Sequence, residues 1–188
     1  MQTSKPSKPF AHVAIVLVFL CTTSVAYLAA QRVYVNPHPD EHLHALFPKA
    51  AAFSQKGGEP PVFKAYAVDP KTNPSAAPIG YAFWTPELLP DEHGYHGPIH
   101  MIVGLDLTGI IVGVIVDYHS EPYGYFSVEP PEFVHQFKGK SVRDPYKVGT
   151  DVAAVARATL SIASATRAVR DSTRLVARAY LDPNAVKR

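Results

Sequence analysis

The hydrophobic period turns from strand-like to helical in the second half of this chain, and that change decides its fold class. Val62–Asp69, Ile79–Thr85, Pro98–Asp106 and Gly109–His119 are short, rich in Val, Ile, Tyr and Phe, and bounded by turn-forming residues, which predicts strands. "DLTG" between the last two reads as a tight hairpin turn. From Asp151 to about Tyr180 the pattern becomes helical. Val155, Thr159, Ile162, Thr166, Val169, Thr173, Val176 and Tyr180 recur at alternating spacings of four and three, a seam that should face a sheet. Arg170, Arg174 and Arg178 then form a stripe on another face. The expected class is α+β: an antiparallel sheet packed against a long C-terminal helix. Two shorter helices are expected as well, one capped by Asp40 with Leu43, Leu46, Phe47, Ala50 and Phe53 at helical spacing, and one around Pro131–Phe137.

One N-terminal transmembrane helix is expected to precede this domain. The run Phe10–Ala30 is apolar throughout and follows Lys5 and Lys8. About 20 such residues are what a helix needs to cross the hydrocarbon core. Basic residues on its N-terminal side predict that this end stays in the cytoplasm. The division is therefore a cytoplasmic N-terminus over 1–9, an anchor over 10–31 and an exported domain over 32–188. That places the protein in the cell inner membrane as a single-pass chain with its C-terminal domain in the periplasm. A signal peptide cut after Ser24–Ala26 is the rival; the uncleaved anchor is preferred because the run continues past that site to full spanning length.

Composition removes several classes of function. A formal net charge of +2 with 18% charged residues gives no large basic field, so nucleic acid is not an expected partner. Cys21, the single cysteine, lies in the apolar run, which excludes an internal disulfide, a thiolate-bound Fe–S cluster and a thiol redox pair. No nucleophile elbow, phosphate-cradling glycine loop or zinc-protease motif occurs. His38, Asp40, His42 and His44 invite a metal, but His42 and His44 stand two apart and point away from each other on a helix. A solvated segment is the preferred reading there, and no metal site is assigned. His93, His96 and His100 in "HGYHGPIH" are accounted for in the same way, as part of a larger pattern. The arginine stripe is read as a solvated face that could also dock an acidic partner or anionic lipid headgroups.

"GYAFWT", "GYHGPIHMIVGLDLTGIIVGVIVDYHSEP", "FVHQFKGKSV" and "ARAT" occur in one order. That order resembles the FMN-binding domain shared by the periplasmic part of NosR and by the flavoprotein subunits of the Rnf and sodium-pumping NADH:quinone oxidoreductase complexes. The resemblance runs from about Leu43 to Leu181 and is strongest to the NosR-like branch. It implies a membrane-anchored, periplasm-facing flavoprotein acting in electron transfer rather than a stand-alone catalyst. Its partners would be the membrane, other subunits of a redox complex and a flavin transferase. A degenerate fold serving as a structural or assembly subunit without flavin is the alternative.

In that family the last Thr of an Asp-x-x-Ser/Thr-Gly-Ala-Thr motif is esterified to the FMN phosphate. The resemblance places this acceptor at Thr159, after Ala158. Arg157 stands where the Gly is usual, as in NosR-type members. Ala153 and Ala156 replace the Asp and the Ser/Thr, and Asp151 lies two residues too early. An unassisted Thr hydroxyl is a weak nucleophile, so covalent FMN at Thr159, non-covalent FMN and no flavin all stay open. A helix starting near Thr159 would point N–H groups at a phosphate, whereas one starting after Thr150 would bury Thr159 two turns inside. The resemblance also implies that Tyr95, Gly97 and Pro98, with His119, Glu121 and Pro122, line the isoalloxazine. Phe83, Trp84, Tyr123, Tyr125 and Phe126 are candidates for its walls.

Overall fold

The computed structural model describes Asn36 and residues 39–186. The expected anchor over 10–31, Cys21 and His38 lie outside the described residues. Among the described residues, no helix is long and apolar enough to cross a membrane.

The architecture is α+β with a five-stranded antiparallel meander. Its strands, β1 (Ala52–Phe53), β2 (Phe63–Tyr66), β3 (Pro78–Trp84), β4 (His100–Asp106) and β5 (Ile111–Tyr118), pair in chain order. α1 (Asp40–Leu46) precedes the sheet, and α2 (Thr85–Leu88) follows β3. α3 (Gly124–Ser127), α4 (Pro131–His135) and the 22-residue α5 (Thr159–Tyr180) complete the chain. The predicted hairpin forms at Asp106–Gly109. The Asp106 carboxylate accepts the N–H groups of Thr108 and Ile110, and Gly109 takes φ +77°, the left-handed geometry that closes such a turn without a Cβ clash.

Both faces of the sheet are covered, which explains why β3 and β4 are buried along nearly their whole length instead of alternating. On one face Tyr81, Phe83, Met101, Val103 and Leu105 pack with Phe133, Phe137 and the α5 residues Ile162, Val169 and Val176. On the other, Phe63, Trp84 and Ile102 lie under Leu43, Leu46 and Phe47. Phe47 approaches the sheet so closely that a Cβ on Gly80 would stand 2.5 Å from its ring. Asp40 does not cap α1; it sits inside the first turn and Pro39 holds the N-cap position.

α5 begins at Thr159, not at Asp151. Residues 151–158 are loop, and within them Asp151 accepts the N–H groups of Lys147 and Tyr146 and the Lys140 ammonium. The seam predicted for the helix faces the core from Ile162 through Val176, but Val155 lies off the helix and Thr159 is exposed. Polar members of the buried face are satisfied within the helix: Thr166, Ser172 and Thr173 each donate to the carbonyl four residues back. Arg174 is not simply solvated, for its guanidinium donates to the carbonyls of Val142 (3.0 Å) and Asp144 (2.8 Å).

Candidate functional site

Three segments distant in sequence meet at one carboxylate. β5 ends at Tyr118 and the chain leaves the sheet through His119–Pro122, carrying Glu121 beneath the loop that enters β4. Glu121 is only 6% exposed. Its Oε2 accepts the N–H of Tyr95 and its Oε1 that of His96, each at 2.9 Å. The Ser161 hydroxyl, in the first turn of α5, donates to Oε2. Burial pushes the Glu121 carboxyl up, but hydrogen bonds from Ser161 and from the His96, Tyr95 and Gly97 N–H groups outweigh it and hold the group below its ordinary range. The ionised carboxylate thus pins the 94–97 loop and the 119–122 turn to the start of α5.

His119 supports that junction from behind. Its Nδ1 accepts the Glu121 N–H at 3.1 Å, which leaves Nε2 as the proton-bearing nitrogen, 3.1 Å from Glu129 Oε1. Gly124 lies flat against the ring, where a Cβ would come within 2.0 Å of His119 Cε1. A second tie joins the same loop to α5: Arg167 donates twice to the Glu92 carboxylate, at 2.7 and 3.1 Å.

The helix start therefore holds a fixed position, and it is open. Ala158 occupies the N-cap position, is itself buried, and makes no side-chain hydrogen bond to the first turn, so no side chain caps the leading N–H groups at the positive end of the helix dipole. Thr159 is exposed on this end. Arg157, also exposed, takes φ +68°, a left-handed conformation that disfavours every residue with a Cβ and favours glycine. The backbone has kept the shape implied by a Gly at this position while carrying a guanidinium there. Uncapped N–H groups near an arginine fork in sequence form a donor set suited to a phosphate.

The segments tied at Glu121 and their continuations carry large exposed groups: Tyr95 (64%), Tyr123 (46%), Tyr125 (68%) and, in the first turn of α5, Leu160 (61%). Flat aromatic surface beside a phosphate site suits a ring system. Phe83 and Trp84, by contrast, are wholly buried, Trp84 on the opposite face of the sheet from α5, so neither can wall the site. Phe126 is half-buried and packs edge-on against Tyr125. Ala153 and Ala156 are exposed and bring neither carboxylate nor hydroxyl. Pro122 is exposed, and the Gly97 carbonyl accepts the Gly94 N–H at 2.8 Å. The histidines of the N-terminal cluster diverge: His42 bonds Asp117 at 2.8 Å while His44 packs edge-on against Phe53.

Ser161, Gly94 and Gly124 belong to the site although the sequence reading passed over them. The signals were weak: a second hydroxyl two residues beyond Thr159, and glycines next to Tyr95 and Tyr123.

Residues 94–174 match the model of the family described as the FMN-binding domain. No curated protein matches the chain. The matched span begins with the loop that Glu121 holds and ends on α5, enclosing the whole junction, and over those residues this chain is similar to the FMN-binding domain family.

Proposed function

We propose that this chain is an electron-transfer flavoprotein that holds FMN at the start of α5 without an ester bond to Thr159. The observation that carries the reading is the meeting of the 94–97 loop, the 119–122 turn and the open end of α5 at Glu121, all within the family span. The phosphate is met by the first-turn N–H groups and by Arg157, and the aromatic groups of Tyr95, Tyr123 and Tyr125 flank the ring. Bound FMN supplies the ability to accept and release electrons singly or in pairs. The residues of the chain position it and set its surroundings.

Attachment without an ester follows from what stands near Thr159. A Thr hydroxyl needs assistance to act as a nucleophile. Positions 153 and 156 are alanines, Asp151 is committed to Lys140, Tyr146 and Lys147, and Glu121 to Ser161 and the 95–96 backbone. The Arg157 charge takes over retention of the phosphate.

The same proposal places the domain on the periplasmic side of the inner membrane, anchored through 10–31, as a subunit or accessory of a larger redox complex. The apolar run after Lys5 and Lys8 supports the anchor, and the single cysteine supports partners, since the chain has no thiolate set for a second redox centre. The loss of the carboxylate and hydroxyl at 153 and 156 favours one second reading, a structural subunit that carries no flavin.

Purification of the full chain from its native membrane, with absorption and intact mass recorded before and after denaturation, tests all of this. The expected result is a yellow protein that loses its colour on denaturing and has an unmodified mass. A mass raised by one esterified FMN overturns the non-covalent assignment. A colourless protein that takes up no added FMN overturns the flavin reading and leaves the structural one.

A further inference from the structure

At the opposite end of α5, about 30 Å from Thr159 along the helix, lies a cavity of about 450 Å³ between the last turns of α5, Val142–Arg143 and the returning segment 181–186. Val142, Leu181 and Val186 give it an apolar floor, and Arg143, Arg174 and Arg178 surround it. Its size lies in the range of small-ligand sites. Its charge sets it apart from the rest of the helix.

Elsewhere on α5 each arginine has a carboxylate: Arg167 has Glu92 and Arg170 has Asp171. Among the described residues, none of the three arginines at the cavity forms an ion pair. The neighbouring acids are engaged with backbone, Asp144 with the Ser141 N–H and Asp182 with the Asn184 N–H. Arg174 is fixed by the carbonyls of Val142 and Asp144, and Arg143 by that of Pro183 (3.1 Å). Those bonds orient the guanidinium planes, leave other N–H donors of each fork unused and neutralise no charge. Arg178 is exposed and has no hydrogen-bond partner among the described residues. Asp144 and Asp182 keep their charges when bonded to neutral N–H groups and Asp171 interacts electrostatically with Arg174; with the carbonyls ending α5 they offset part of the positive charge of the cluster without pairing any of its guanidinium groups.

We infer that this cavity binds an amphiphilic phosphate: a phosphomonoester headgroup among Arg143, Arg174 and Arg178, with a short apolar body on Val142, Leu181 and Val186. A phosphate is preferred to a carboxylate because its charge of about −1.5 to −2 at neutral pH matches the cluster better than a single charge does. The floor separates this ligand from inorganic phosphate, which would leave the apolar surface uncovered. The site does not depend on the flavin reading, since it shares no residue with the start of α5.

The test is calorimetric titration of the full chain, held in zwitterionic bilayer discs, with hexyl phosphate, alongside inorganic phosphate and hexanol. With FMN added to saturation, expected is saturable one-to-one binding of hexyl phosphate, at least tenfold tighter than either control and weakened about tenfold in Arg178→Gln. Arg178 is exposed, so its replacement leaves the fold intact, which circular dichroism checks. Equal affinity for inorganic phosphate, or undiminished binding in Arg178→Gln, overturns the inference. So does binding that appears only when FMN is left out, which would mean that the probe reads the flavin end. Displacement of hexyl phosphate by dihexanoyl phosphatidic acid assigns the natural ligand to lipid headgroups; failure of displacement assigns it to soluble phosphomonoesters.

Discussion

Replacing Glu121 by Gln changes one atom in the junction and should loosen all three segments that meet there. Each carboxylate oxygen accepts a backbone N–H at 2.9 Å, one from Tyr95 and one from His96, and Oε2 also accepts the Ser161 hydroxyl. Glutamine offers one acceptor oxygen, so its amide N–H₂ must face one of the two backbone N–H groups. One hydrogen bond to a charged acceptor is lost and the others become neutral, a cost of about 2–3 kcal/mol. In a chain of this size that lowers Tm by roughly 5–10 °C. The pH dependence has a definite sign. The folded carboxyl titrates below its ordinary range, so its contribution is fully present above the unfolded value of about 4.3 and is lost as pH falls through the lower folded value. Thermal melts of both proteins from pH 7 downward should show a constant gap to about pH 5 that narrows below pH 4. The other carboxylates held low, Glu92, Asp151 and Asp171, titrate in both proteins and cancel in the difference. A gap under about 1 °C at pH 7, or one that does not narrow in acid, would refute the reasoning.

Arg157→Gly removes the Cβ from a left-handed residue and should raise stability by about 0.5–1 kcal/mol after the entropy of glycine is counted, whereas Arg157→Ala should not; paired thermal melts distinguish them. Gly124→Ala drives a methyl into a His119 ring held at both nitrogens and should cost about 1–3 kcal/mol in a denaturant titration. Ile162→Ala, at a fully buried position on α5, should cost about 2–5 kcal/mol. Leu160→Ala, two residues away and 61% exposed, should stay within about 0.5 kcal/mol in the same assay.

The sheet was readable from sequence because each long strand is bounded by turn chemistry. Asp106–Gly109 shows this best, and β4 and β5 fall inside the expected segments. β1 was not readable, since two residues carry no period, and it exists only because Ala52 and Phe53 pair with Tyr66 and Ala65. The start of α5 was left open between Thr150 and Thr159 for a physical reason. Residues 151–158 are rich in Ala and Val, good enough as helix or core, and local composition contains no sign that Asp151 will fold back on 146–147 or that Arg157 will turn left-handed. The resemblance singled out Thr159, Arg157, Glu121 and His119, but the contacts that Glu121 makes are tertiary. Ser161 reaches Glu121 from 40 residues away, and no spacing rule announces that. Trp84 was misplaced because alternation tells which residues share a face but not which face a helix will cover.

The meander pairs every strand with its sequence neighbour, so a chain emerging N-terminus first can complete its sheet early, closing only short loops. The junction at Glu121 has no such independence. Glu121 is made early, but Ser161 and the open turn beside it arrive with α5, the last of the described elements. Until that helix docks, Phe83, Met101 and Val103 lack their cover, and no place for a ligand exists. Assembly of the junction is therefore ordered by synthesis: it can only follow completion of α5. A product truncated before Thr159 would be an uncovered sheet, exposed to proteases and aggregation, with no partial activity to preserve.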